Sequence, residues 1–176
     1  MNLATNYMER TIKILKYYKD LGDKTFAMLD DTAFHYQFNT ASNSIAIIIR
    51  HMAGNMLSRW TDFLTTDGEK EWRNRDDEFE QQQMNRQELL AYWDKGWDVF
   101  LSALTSLQEG DLLRTVTIRS EEMSVMDAIN RQLAHYPYHV GQLVYIGKMI
   151  RDEEWKSLSI PKGASLAFNQ QMENKR

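Results

Sequence analysis

The chain has no cysteine, which excludes disulfides, thiolate metal ligands and a cysteine nucleophile together. Only two prolines and eight glycines interrupt 176 residues, so long continuous elements are favoured over many short ones. Apolar runs are short as well: the longest, Ile45 to Ile49, falls far below the roughly 20 residues that cross a bilayer. Basic charge is not in excess. With 21 basic against 25 acidic residues the formal charge is −4, and the two signs are interleaved, so no basic stripe is available to meet phosphates. A nucleic-acid partner and a membrane span are therefore not expected. The stretch from Met1 to Asp20 lacks a signal-peptide pattern, because Glu9, Arg10, Lys13 and Lys16 break any apolar run. Together with the missing cysteines this leads to a soluble protein, expected in the cytoplasm.

What is present is helical periodicity in four long segments, within one expected domain spanning 1–176. The first runs from about Asn2 to Leu29, with Leu3, Tyr7, Ile14, Leu15, Tyr18, Leu21, Phe26 and Leu29 as apolar positions. A connector from Asp30 to Thr40 follows. The second helix begins at the capping cluster Ser42-Asn43-Ser44 and continues to about Thr65, with a stripe of Ile45, Ile49, Met52, Met56, Trp60 and Phe63. Asp67-Gly68 stops it. Glu69 to Met84 is strongly charged and aperiodic, and reads as an ordered crossing. The third helix spans about Arg86 to Leu107 on Leu89, Leu90, Trp93, Trp97, Phe100, Leu101 and Leu104. Leu113 to Ile118 alternates and fits a short strand or hairpin arm. A fourth helix spans Ser124 to Arg151, with Ser124 and Asp127 in capping positions, and a short C-terminal helix is expected around Ala164 to Met172. The spacing of Trp60, Trp93 and Trp97 reads as core packing, and the whole is all-α, a four-helix bundle.

His135 and His139 stand four apart and so share one face of the fourth helix, close enough for two imidazoles to meet one metal ion. A third ligand must come from another helix, and His51 lies mid-way along the second. A histidine on an apolar face is more often a hydrogen-bonded core residue than a ligand, so spacing alone leaves both readings open. Pro137, inside the helix at a cost of about 3 kcal/mol, adds weight to a functional segment. Gln132 and Gln142, one turn to either side, offer polar groups to orient the imidazoles. His35, between Phe34 and Tyr36, reads as a loop histidine outside the site.

The segments Arg50-His51-Met52-Ala53-Gly54-Asn55 and His135-Tyr136-Pro137-Tyr138-His139-Val140-Gly141-Gln142 resemble the two metal-site helices of the DinB/YfiT-like superfamily. Arg59 to Gly68, Trp72 to Phe79 and Ile160-Pro161-Lys162-Gly163 resemble one bacterial branch of it, so that the likeness covers nearly the whole chain. The resemblance implies an up-down-down-up bundle with a three-histidine divalent site at His51, His135 and His139. Nickel or zinc is the expected ion, with iron, manganese and copper as the remaining candidates, and a homodimer is the expected assembly. Tyr7, Tyr17 and Tyr18, spread around the first helix, are candidates for that dimer surface. Relatives in the superfamily include metal-dependent thiol transferases using bacillithiol or mycothiol.

Three neutral imidazoles leave a coordination position open, the arrangement of a catalytic rather than a structural site. Retaining the full dipositive charge, such an ion acidifies a bound thiol or water. The leading expectation is a metal-dependent enzyme acting on a small molecule, most simply transferring a low-molecular-weight thiol. A metal-dependent hydrolase and a non-enzymatic metal-binding stress-response protein are the alternatives. Asn55, Tyr138 and Gln142 are candidates to orient a substrate. In the crossing, Arg73, Arg75, Asp76, Asp77 and Glu78 form a charge run. Such runs are usually solvated faces; the other reading has Arg73 or Arg75 reaching the site mouth to hold an anionic group.

Overall fold

A computed structural model describes residues 2–80 and 83–174; Gln81 and Gln82 in the charged crossing, Met1 and the last two residues lie outside the described residues. Four long helices dominate: α1 (Leu3–Phe26), α3 (Ile45–Trp60), α4 (Arg86–Ser106) and α5 (Val125–Arg151). Between and after them come α2 (Asp31–His35), an antiparallel pair β1 (Thr115–Ile118) and β2 (Glu121–Ser124), and α6 (Ser165–Glu173). The fold is thus mostly helical with one small sheet.

The helices begin where short polar side chains satisfy orphan amides. Asn2 accepts from Thr5 N at 2.8 Å. Ser44 caps α3 through Ile47 N at 3.3 Å. Asn85 and Glu88 form a reciprocal capping box on α4, and Ser124 and Asp127 form one on α5. Packing then pairs α3 with α4, α1 with α5, α3 with α5 and α1 with α4. Every residue of α3 is buried, from Ile45 to Trp60. Its expected stripe lies in the core beside Trp93, Trp97 and Phe100 of α4 and Tyr136, Val140 and Leu143 of α5. Of the expected α1 positions, Leu15, Phe26 and Leu29 are in the core, whereas Leu3 and Ile14 are exposed. Tyr7 turns inward and donates to Asn130 on α5 at 2.7 Å.

Three boundaries differ from the periodicity. The second long helix stops at Trp60 rather than Thr65, because Asp62 adopts a left-handed φ of 49° and its carbonyl takes the amides of Thr65 and Thr66. Phe63 still reaches the core, its ring 4.7 Å from that of Trp60. The connector contains α2, too short to show a period, which buries Phe34 against Phe26. Glu121 to Ser124, directly ahead of the fourth long helix and without a period of its own in the sequence, pairs with β1.

The two-residue turn of that hairpin places Arg119 and Ser120 at φ of 56° and 62°, a conformation that normally selects Asn-Gly. Asp67 compensates: its carboxylate accepts from Arg119 N at 2.9 Å, Ser120 N at 2.8 Å and Glu69 N at 2.7 Å. Partial burial opposes the charge, but these amides outweigh it and bring the carboxyl down to about 2. A carboxyl depressed on folding stabilises above its unfolded pKa and ceases to do so as pH falls through the folded one. Asp67→Asn is therefore expected to lower the melting temperature near neutral pH, and the gap to the parent should close between about pH 4 and pH 2. A constant gap across that window in calorimetry would contradict the assignment.

Helices α3 and α4 approach closely at Gly96, where an added Cβ would lie 2.9 Å from Ala53 Cα. Gly141 on α5 has open space around it. Gly96→Ala should cost about 1–3 kcal/mol by overpacking, whereas Gly141→Ala should gain about 0.5–1 kcal/mol of helix propensity. Denaturant unfolding of the two variants reads both signs.

Candidate metal centre

His51 on α3 faces His135 and His139 on α5. His135 Nε2 lies 3.4 Å from His51 Nε2 and 3.0 Å from His139 Nε2. Two nitrogens each about 2.1 Å from one ion stand about 3.0 Å apart at a right angle and about 3.4 Å apart at a tetrahedral angle. The observed spacing fits a shared ion. The other ring nitrogens are all turned towards oxygens: His51 Nδ1 is 3.0 Å from Glu78 Oε2, His139 Nδ1 is 2.8 Å from Gln142 Oε1, and His135 Nδ1 is 3.4 Å from Gln132 Oε1. An acceptor at Nδ1 places the proton there and leaves a lone pair at Nε2. Three lone pairs then converge, which is favourable around a cation and unfavourable without one. Nor does a proton easily take that place. Burial, reinforced by His139, His51, Arg59 and Arg131, pushes His135 down to about 3, and burial also lowers His139. The donor set, three neutral imidazoles with no thiolate or carboxylate, suits a divalent ion such as zinc or nickel.

Local sequence explains how the imidazoles are aimed. On α5, Tyr136 is fully buried between the two histidines, with Trp60 Nε1 donating to its hydroxyl at 3.2 Å and that hydroxyl donating to Asn55 Oδ1 at 3.1 Å. This chain fixes the rotation of α5 against α3 and turns His135 and His139 to the shared space. Helix α5 continues unbroken through Pro137.

Glu78, in a 3₁₀ turn at Asp76–Phe79, was not singled out by the spacing argument and is the principal partner of His51. Three residues of α3 prepare its place. Arg50 donates to the carbonyls of Asp77 and Glu80, fastening the crossing to the helix. His51 holds the carboxylate, and Gly54, one turn later, makes room: a Cβ there would be 2.3 Å from Glu78 Oε1. Arg73 then grips the same carboxylate, Nε to Oε1 at 2.8 Å and Nη2 to Oε2 at 2.9 Å. Burial favours the neutral acid, yet the His51 and Arg73 hydrogen bonds prevail and keep Glu78 below the usual carboxylate range. A glycine one turn after a helix histidine, together with a nearby acid, was the available signal.

Other candidates fall in different places. Arg73 is spent on Glu78 and Glu69, with 2% of its side chain exposed. Arg75 is half exposed and lies over Phe79, whose ring packs 5.0 Å from His51. Asn55 is occupied by Tyr136, and Gln132 is buried. Tyr138 is exposed, its ring 5.0 Å from that of His139. His35 is exposed at the end of α2 and takes no part in the three-histidine cluster. Arg59 is buried at 7% exposure, and its Nη1 finds no acceptor among the described residues.

Fold and site together define a mostly helical protein in which three histidines from two helices could hold a metal ion. The family model for the group described as protein of unknown function (DUF1572) matches residues 2–164, and the chain belongs to that family. No curated protein matches the chain.

Replacing Glu78 by Gln keeps the size but removes the charge that orients His51. A loss of 10–100-fold in zinc affinity is expected, the usual effect of removing such a partner, against complete loss in His135→Ala. Chelator-competition titration separates the two. Parental affinity in Glu78→Gln would remove Glu78 from the site.

Proposed function

We propose that the protein is a metal-dependent transferase of low-molecular-weight thiols, with His51, His135 and His139 as ligands of one divalent ion. The convergence of three Nε2 lone pairs, each set by an acceptor behind the ring, carries this reading. The resemblance of the two histidine segments to the DinB/YfiT-like superfamily supports it. So do the helix contacts. Tyr7 meets Asn130 and Gly147 approaches Thr25, so α1 and α5 run together. Gly96 meets Ala53, and Phe100 meets Trp60, so α3 and α4 run together. With Trp93 at Gly22 and Arg86 at Phe26, α1 opposes α4, which fits an up-down-down-up bundle.

When bound, a divalent ion in such a site acidifies a thiol presented to its open side, giving thiolate near neutral pH. The chain's own residues supply the rest. Glu78, Gln132 and Gln142 keep the imidazoles in the ligating tautomer. Asn55 and Tyr136 fix the distance between the two helices at the level of the site. Phe79 covers His51 and limits water there. The charges of Arg59 and Arg131 reach His135, so that end of the site favours an anionic cosubstrate such as bacillithiol.

Zinc- or nickel-loaded protein, incubated with bacillithiol and a chlorinated aromatic electrophile, should consume free thiol at least tenfold faster than His135→Ala. Equal rates would dismiss the thiol-transfer reading. If the loaded protein instead cleaves esters or amides in a His135-dependent way, the activity is hydrolytic.

A further inference from the structure

Five of the chain's exposed large apolar side chains gather in one place. Tyr138, Tyr145 and Met149 stand at helical spacing along the solvent side of α5, a stripe that starts beside His139. Tyr36 and Phe38, from the connector after α2, form the facing wall. Between the walls is a cleft of about 530 Å³, within the range of small-molecule sites. Its floor includes Ile48, three residues before His51 on the buried helix. Its inner end includes Gln142, the residue bonded to His139 Nδ1 at 2.8 Å. Tyr138 lines the cleft and packs on the His139 ring. A molecule in the cleft would thus lie one side chain from a metal ligand.

The cleft carries no lysine, arginine, aspartate or glutamate among its lining residues. The adjoining hollow shares Tyr36, Phe38 and Met149, and among its lining residues Asp30 and Asp31 are the only Asp, Glu, Lys or Arg side chains. An anion entering here would give up hydration without meeting a lysine or arginine among the lining residues, and would approach two carboxylates. Neutral aromatic or aliphatic surface meets tyrosine and phenylalanine faces at no such cost. The two walls come from the same chain and already face one another, so the feature is a slot for a small molecule rather than a flat face for a protein.

We infer that this cleft is the binding site for the second substrate of the metal centre, an uncharged molecule with an aromatic or aliphatic body. The inference rests on the metal-centre reading and adds a substrate class to it. The neutral acceptor then approaches the site from its His139 side, where Tyr138 and Gln142 join the cleft to the metal centre.

The test uses two fluorescent probes with one skeleton, neutral N-phenyl-1-naphthylamine and its sulfonated analogue 8-anilinonaphthalene-1-sulfonate, titrated into full-length protein. The neutral probe should bind once per chain and at least tenfold more tightly than the sulfonate. Tyr145→Asp and Tyr138→Ala, both at exposed positions, should weaken it at least tenfold with the circular dichroism spectrum unchanged. Copper-loaded protein should quench the bound neutral probe relative to zinc-loaded protein. Equal affinity for both probes, indifference to both substitutions, or equal emission with the two metals would each overturn the inference. So would a parental dimer that Tyr145→Asp converts to a monomer, since a second copy would then fill the cleft. Probe binding is also measured without metal. Retained binding in a protein that never consumes thiol would refute the transferase and leave the cleft; thiol transfer with no probe in the cleft would do the reverse.

Discussion

A helix covered on every side that nevertheless carries Arg50, His51, Asn55 and Arg59 sets the terms for everything around it. Each buried polar group needs a partner or costs about 1–3 kcal/mol, and more if charged. Three of the four find theirs in segments distant in sequence, and those pairings assemble the site. Arg50 draws in the crossing, His51 receives Glu78 from it, and Asn55 accepts from Tyr136 on α5. The fourth, Arg59, has an Nη1 without an acceptor among the described residues.

The helices and their seams were legible because they depend on local chemistry. The stripe from Ile45 to Phe63 and the caps at Ser44, Asn85 and Ser124 follow from periodicity and from orphan amides. The pair His135 and His139 follows from helical spacing. Placing His51 opposite them needed a resemblance, because no spacing rule connects residues 84 apart. Glu78 was hidden for a related reason. It sits in a run of charges whose bland reading is a solvated face, and only the room left by Gly54 shows that this carboxylate turns inward. Arg73 is instructive in the same way: its charge suggests an anion at the site mouth, and that anion proves to be a glutamate of the same chain. The left-handed Asp62 that ends α3 early has no composition signal at all.

The polarity of the site also emerges only in three dimensions. The charges of Arg59 and Arg131 act on His135, while tyrosines and a phenylalanine from two separate elements collect near His139. Neither gathering is visible as a run in sequence. Together they would let a single ion serve two unlike molecules without their competing for one surface, which is a form of specificity by exclusion.

Fastening the crossing at both backbone and side chain ties its order to that of the imidazoles. Arg50 holds the carbonyls on either side of Glu78, and His51 and Arg73 hold the carboxylate. Whatever fixes the His51 ring also favours the closed form of the crossing, and opening the crossing would release that ring. The site and its cover therefore form a single cooperative unit in which a small cation would act as a latch on a loop of the protein's own surface.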